Sequence, residues 1–404
     1  MAEQDTAPRP DPASASSIGM SGGGVYDVIC VGGGIAGAGL AYWLKVHTWR
    51  TARILVLEAE DIAGYHTTGR SAAFYAETYG GPVVQPLTSA SKAFLADPPA
   101  DLSPRPFLTR RGALHIFSNR QADAAWRLHD SLAPALPDVR MLNADETRRL
   151  APHVRRPDLA GAVHDPDCGD LDVAGLHQAY LGAARRAGVA VKTDAPVTAA
   201  VRRDGQWRLT TPRGTFAAPV LVNAAGAWAD ELARLARVPA VGMQPLRRTV
   251  VTVPRQDAVG AHPHAPLVLD AEERFYIKPE GEGYLVSPAD ETPSAPCDAQ
   301  PEEEDVARAV AHLEETLGVT VPRLGARWAG LRTFAPDRAP VIGFDPAAEG
   351  FFWHAGQGGW GIQTSPAWCA LSAALISGHA VPDHLGRFGV DPARYAPDRF
   401  KRAA

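Results

Sequence analysis

Cysteine is scarce in this 404-residue chain and scattered: Cys30, Cys168, Cys297 and Cys369 form no CxxC pair. Such spacing fits neither a disulfide framework nor a zinc site and points to a reducing, cytoplasmic setting. Charge of one sign is missing too. Lys and Arg number 40 against 45 Asp and Glu, and no run of like charges builds the basic stripe that a phosphate backbone requires. The balance argues against nucleic acid as a partner. The 13 histidines are dispersed, and His262 and His264, on either side of Pro263, read as a loop rather than a ligand pair, so no metal site is expected.

Long apolar runs are lacking as well. The longest candidate, residues 28–44, is 17 residues without a charge, shorter than the roughly 20 that a bilayer core needs, and it carries five glycines. No transmembrane segment is expected. No strongly amphipathic basic helix marks a membrane-surface segment either, which leaves only a peripheral contact open. The first 24 residues are rich in Pro, Ser and Gly, with neither a basic n-region nor an apolar h-region. They read as a disordered leader rather than a secretory signal, with Met20 as an alternative start.

What is there is ordinary globular material, with 46% hydrophobic and 21% charged residues, and the length calls for two domains. Residues 26–31 (YDVICV) predict a buried strand, 35–46 a helix and 53–57 (RILVL) a second strand, a βαβ unit. Further on, 83–95, 122–132 and 173–187 read as helices, and 113–117, 199–203 and 207–211 as strands. A strand at 220–223, a small-residue turn and a helix from Trp228 follow. From 242 to 287 alternation predicts an antiparallel sheet, then a helix over 302–317, strands at 327–334, 340–343 and 351–354, and a glycine-rich turn entering a last helix.

Gly32-Gly33-Gly34-Ile35-Ala36-Gly37 satisfies G-x-G-x-x-G, follows a strand, opens a helix, and has Glu58 at the end of the next strand, 21 residues past Gly37. Gly32 suits the tight turn, Gly34 a close approach to pyrophosphate and Gly37 helix–strand packing, while Glu58 suits a ribose diol. That context predicts dinucleotide binding. A second cluster, His66-Thr67-Thr68-Gly69-Arg70-Ser71-Ala72, offers hydroxyls and amides to a phosphate or a flavin edge, although a polar turn has the same composition. His66 and His354 are candidates to lie near a flavin, with ordinary hydrogen-bonded histidines the more common outcome.

In the order YDVICVGGGIAGAGLAYWL, LVLE, GYHTTGRSAA, LVNAAGAWAD, WAGLRTFAPDRAPVIG and GGWGIQTSPA, the chain resembles the FAD-dependent D-amino acid oxidases and dehydrogenases, over nearly all of residues 26–384. Within them PLTSASKAF, QPLRR and ERFYIKP make it most similar to the bacterial D-arginine dehydrogenases. The resemblance implies an α/β fold: a Rossmann-type, glutathione-reductase-like FAD domain and an α+β substrate domain built on an antiparallel sheet. It divides the chain into a discontinuous FAD domain (25–80, 160–240, 325–384), a substrate domain (81–159, 241–324) and a C-terminal tail (385–404), with FAD bound non-covalently.

It further implies that Arg248 and Arg332, one from each domain, hold the substrate carboxylate, and that Tyr79 and Tyr276 form a lid and a roof. Gly358, Gly359, Trp360, Gly361, Ile362 and Gln363 would let backbone approach the flavin, with Gly359 nearest the reaction, and the following helix would point its N-terminus at the flavin. Gly32, Gly34, Ile35, Ala36, Gly37, Glu58, Thr67, Thr68, Arg70, Ser71, Ala72, Val197, Ala225, Gly226 and Trp228 complete the implied FAD set. The implied chemistry is oxidative deamination by hydride transfer from Cα, with oxygen or a quinone as acceptor. Where the D-arginine enzymes carry a glutamate, a histidine and a threonine, this chain has Ala113, Phe74 and Ala76, so neutral or hydrophobic D-amino acids are expected as substrates. Glu77, Asp270, Glu272 and Glu273 keep a basic substrate open. A secondary-amine oxidase acting on sarcosine, glycine or proline is the alternative.

Overall fold

The computed structural model describes residues 24–254 and 264–400. Apart from Gly24, the expected leader lies outside them, as does His262. Two large sheets organise the chain. The first has six strands in the order Val341–Phe344, Phe351–Ala355, Val220–Asn223, Val28–Val31, Ile54–Leu57 and Ala190–Lys192. All its pairings but the first are parallel. Parallel strands buried on both faces must be apolar throughout, which is why VICV and ILVL carry no alternation.

The helix Ile35–Tyr42 packs directly on this sheet and is buried along its whole length. Its glycines allow that: a Cβ on Gly37 would stand 2.0 Å from the Gly32 carbonyl oxygen, and one on Gly39 2.8 Å from Cys369 Sγ. The expected helix over 35–46 does not run through as one type. It turns into a π-helix over Trp43–Thr48, where Thr48 Oγ1 donates to the carbonyls of Trp43 and Leu44 and the Trp49 amide reaches back to Leu44. No helix among the described residues is long and apolar enough to cross a membrane.

The second sheet has ten strands. Its order is Gln357–Gly358, Arg327–Phe334, Gln244–Pro254, Gly283–Ser287, Tyr276–Glu280, Leu267–Asp270, Ala113–Ser118, Leu159–Asp165 and Arg140–Asn143, with Thr292–Pro293 pairing beside Gln244–Pro254. The sheet is antiparallel as expected, except that Leu267–Asp270 runs parallel to Ala113–Ser118.

Sheet membership cuts across the division drawn from the resemblance. Leu159–Asp165, which straddles its boundary at 159/160, and Arg327–Phe334, placed with the FAD segments, hydrogen-bond inside the ten-stranded sheet. The helix Gly81–Ala96, placed with the substrate segments, buries Leu87 and Ala90 in the core beneath the six-stranded sheet. The C-terminal stretch is no loose tail over its described part: Leu385, Val390 and Tyr395 are buried in that same core, and Tyr395 Oη donates to the Val83 carbonyl at 2.9 Å. Nor is the helix Ser365–Ser377 the last, since Asp383–Gly386 adds one more turn.

Candidate functional site

A cavity of about 470 Å³ runs from the end of the Val28–Val31 strand to the face of the ten-stranded sheet. At its first end Gly32, in left-handed geometry with φ of 109°, makes a turn in which a Cβ would meet the Ala224 carbonyl oxygen at 2.3 Å. Gly34 caps the helix, and beside it the Ile35 amide donates to Thr68 Oγ1 at 3.0 Å. Glu58 lines the cavity with its oxygens taking the amides of Gly33 (2.7 Å) and Glu60 (3.0 Å). Each carboxylate oxygen keeps a further acceptor position for a ribose hydroxyl. His177, whose pKa burial pushes down, holds the same turn by donating from Nε2 to the Gly33 carbonyl at 2.8 Å.

Gly32, Gly34, Ile35, Ala36, Glu58, Thr67, Thr68, Arg70, Ser71, Ala72, Val197, Ala225, Gly226 and Trp228 all line this cavity, as do Gly358, Gly359, Gly361, Ile362 and Gln363. Two residues of the expected set do not. Gly37 is spent on packing against Gly32, and Trp360 sits behind Gly359 against Val84 and Phe334, facing a separate pocket of about 260 Å³. Arg70 lines the cavity but has its guanidinium engaged elsewhere. Its guanidinium is consumed by the carbonyls of Ala299 (2.9 Å) and Ala329 (3.0 Å) and by Asp298, so it ties the loop to the large sheet rather than offering a free cation. Thr67 does likewise, donating to the Leu331 carbonyl at 2.7 Å.

His66 lines the cavity, paired with Glu60 at 2.8 Å and set against the Trp228 ring. His354 does not. It is fully buried, stacked on Trp368 with centroids 4.0 Å apart and bonded to Ser372 at 2.8 Å, and burial pushes its pKa down to about 3.

At the other end the register pairs Leu246 with Arg332 and Arg248 with Gly330, which puts both arginines on one face of the ten-stranded sheet as diagonal neighbours. Both are therefore borne on neighbouring strands of one sheet, Arg248 from the segment assigned to the substrate domain and Arg332 from the segment assigned to the FAD domain. Arg332 is buried and Arg248 exposes 13% of its side chain. Burial pulls the Arg332 pKa below its usual value. Arg332 donates to Tyr79 Oη, and the Arg248 guanidinium lies 6.0 Å from the centre of the Tyr276 ring. Phe74 stands between the two phenols, 6.1 Å from Tyr79 and 5.7 Å from Tyr276. Gly359 borders this group so tightly that a Cβ would come within 2.5 Å of Arg332 Nε.

The specificity residues sort differently from the expectation. Phe74 lines the cavity, whereas Ala76 and Ala113 are fully buried beyond its lining. Of the four carboxylates held in reserve, only Glu273 reaches the cavity. Glu77 is bound by Ser89 and by Lys92, Asp270 by Arg274 and Gln121, and Glu272 by Gln121.

Sequence reasoning missed Glu291, which follows the Gly283–Ser287 strand and accepts from Arg332, Arg338 and Arg248. Burial would raise its pKa, yet the hydrogen bond from Arg338 and the charges of Arg332, Arg338 and Arg248 hold it below the ordinary value. Nothing local marks it, because its three partners lie 41 to 47 residues away in the chain. The helix Ala229–Leu235 also turns Glu231, Leu232 and Leu235 toward the cavity, a signal available only as helical spacing after the small-residue turn.

With the geometry in place, known proteins give a consistent picture. A family model described as DAO, FAD dependent oxidoreductase, matches residues 27–375. Glycine oxidase from Geobacillus kaustophilus is 26% identical over 390 residues, covering 91% of this chain and 99% of that protein. Its crystal structure superposes with a TM-score of 0.79 at 24% identity, over 93% of this chain and 99% of that one. Human mitochondrial dimethylglycine dehydrogenase is 28% identical over 151 residues, which is 37% of this chain and 17% of that longer protein. L-proline dehydrogenase from P. horikoshii shares the fold, with a TM-score of 0.78 at 18% identity over 93% of this chain and 97% of that one.

Proposed function

The chain belongs to the DAO family of FAD-dependent oxidoreductases, and from that premise we propose that it oxidises a small α-amino acid at its carbon–nitrogen bond, with an amine of the glycine and sarcosine type as substrate. The observation that carries this reading is the pairing of Arg248 and Arg332 on one sheet face, converging with Tyr79 and Tyr276 beside Gly359. Two guanidiniums held out of water are costly unless an anion meets them, and a fork of this kind matches a carboxylate. Small size is supported by the three rings of Phe74, Tyr79 and Tyr276, which crowd the same end. The likeness to glycine oxidases agrees. The reading of neutral or hydrophobic D-amino acids loses support, because Ala76 and Ala113, two of the three residues expected to make the pocket apolar, lie beyond the cavity lining.

The residues present fit FAD: a glycine turn with no room for a Cβ, a helix N-terminus, and Glu58 with acceptor capacity to spare. FAD, when bound there, supplies the two-electron acceptor for the C–H bond next to the amine. The protein's own part is orientation. Arg248 and Arg332 fix the carboxylate, which sets the position of the adjacent carbon. Because Arg332 donates to the Tyr79 oxygen, the Tyr79 hydroxyl proton is free to point at the substrate. Phe74 and Tyr276 cover the site and exclude water. Guanidiniums and phenols grip the substrate in this reading, and its amine arrives neutral, having lost its proton to solvent.

Product analysis tests the proposal. Holoprotein turned over with glycine, sarcosine and D-alanine should give glyoxylate or formaldehyde from the first two faster than pyruvate from the third. Faster turnover of D-leucine or D-phenylalanine than of either small amine would return the reading to bulky D-amino acids.

A further inference from the structure

All three guanidiniums around Glu291 reach the same oxygen. Its Oε1 lies 2.9 Å from Arg338 Nη2, 3.1 Å from Arg332 Nη1 and 3.5 Å from Arg248 Nη2. A carboxylate oxygen has two in-plane acceptor directions, so three donors over-subscribe it and the long contact to Arg248 is the one left wanting. The three partners also differ in depth. Arg332 exposes 9% of its side chain and Arg338 48%, with Glu291 between them at 34%.

Arg338 is placed with some effort. Its backbone is left-handed at φ of 62°, on a turn closed by its own amide to the Ala335 carbonyl, and its guanidinium lies 3.9 Å from the centre of the Phe334 ring. A non-glycine residue is uncommon in that region, and here it accompanies the turn that brings the guanidinium onto Phe334 and Glu291. Arg338 and Arg332 both line the smaller pocket of about 260 Å³, which shares Tyr79, Arg332 and Glu273 with the main cavity. There is space beside the clamp on the Arg338 side.

We propose that Glu291, which touches both guanidiniums from outside the cavity lining, is a tethered competitor for the substrate carboxylate: it holds Arg332 and Arg248 when no substrate is bound and withdraws onto Arg338 when a substrate carboxylate arrives. This rests on the carboxylate-binding role given above to Arg248 and Arg332. Two carboxylates on the same pair of guanidiniums repel, and Glu291, a third exposed, has room to move, so the resident one gives way and the ease of that move sets the affinity. It sets selectivity as well. A substrate with a second carboxylate meets the charge of Glu291 near the fork, which makes Glu291 a positioning residue that favours monocarboxylates.

The test is a titration of FAD-loaded protein with benzoate and with malonate, read as the shift in flavin absorbance, with flavin content and thermal unfolding checking that each variant is folded. Glu291→Gln should bind benzoate roughly tenfold tighter than the wild type, and malonate should gain more than benzoate. Arg338→Gln, which removes the place of retreat, should bind benzoate several-fold more weakly. In the double variant that second loss should vanish, since Arg338 acts through Glu291. If Glu291→Gln does not hold flavin, Glu291→Asp keeps the charge but shortens the reach, and it too should bind benzoate tighter. A Glu291 that merely props up its arginines gives weaker binding in every variant, and that result overturns the inference while leaving the clamp intact. Wild-type protein that binds neither anion overturns the clamp and this inference with it.

Discussion

At the dinucleotide end of the cavity the turn is made of backbone amides and glycines from the one stretch Gly32–Gly37, with Glu58 beside it; at the substrate end the clamp is made of side chains from residues as far as 253 positions apart, as in the Tyr79–Arg332 contact. The first end is made of close approaches. A Cβ on Gly32 or Gly37 would collide with backbone oxygen at 2.3 Å or 2.0 Å. The second is made of charge and rings borne on a sheet whose hydrogen bonds do not depend on those side chains. One end should therefore fail as structure when altered, and the other as chemistry.

The sharpest contrast is between Gly37→Ala and Arg332→Lys. The alanine forces helix away from strand and should cost about 3 kcal/mol or more, read as a lowered urea midpoint and a reduced flavin-to-protein absorbance ratio. The lysine should leave the flavin ratio unchanged and lower kcat/KM by about 100-fold, because an ammonium cannot replace the fork. Normal flavin content in Gly37→Ala, or lost flavin in Arg332→Lys, breaks the comparison. A smaller effect is expected for Tyr79→Phe. It removes the acceptor for Arg332 and should lower kcat/KM about tenfold with flavin retained.

The pH dependence separates chemistry from stability. Since the clamp is built of guanidiniums and phenols, kcat/KM should climb with pH as the substrate amine deprotonates, and a flat profile between pH 6 and 10 would contradict that. Stability also depends on buried histidines, among them His354 beneath the dinucleotide helix, with its pKa pushed down to about 3, and His115 in the large sheet, pushed down to about 4, both by burial. Each is neutral when folded and takes up a proton near pH 6.5 when unfolded. Stability is thus fully present above about pH 6.5 and falls as the pH drops toward those lower values, by up to about 1.4 kcal/mol per pH unit for each histidine. Urea unfolding at pH 7.5, 6 and 5 should show this fall, and His354→Gln should make it shallower; an equally steep fall in the variant would remove His354 from the account.

The same difference explains what could be read beforehand. The turn at Gly32, the helix start at Gly34 and the strand end at Glu58 were legible because they are local, set by the spacing and by the strand and helix on either side. Arg248 and Arg332 stood out only through the resemblance, and the sheet that the strand Arg327–Phe334 joins could not be read, since pairing with Gln244–Pro254 is a non-local choice. Arg70 and Trp360 carried the right motif but other duties, fixed by the carbonyls of Ala299 and Ala329 and by the Phe334 ring. Ala113 and Ala76 illustrate the limit of position-by-position transfer, because small residues inform about a pocket only if they face it. Glu291 had no signal at all.

Anaerobic mixing of the FAD-loaded protein with single amines, followed as loss of flavin absorbance, tests the central claim most directly. Glycine and sarcosine should bleach the flavin in the wild type and fail to do so at the same concentrations in Arg332→Lys. Bleaching by an amine that carries no carboxylate, such as benzylamine, at rates equal to those with sarcosine would contradict it.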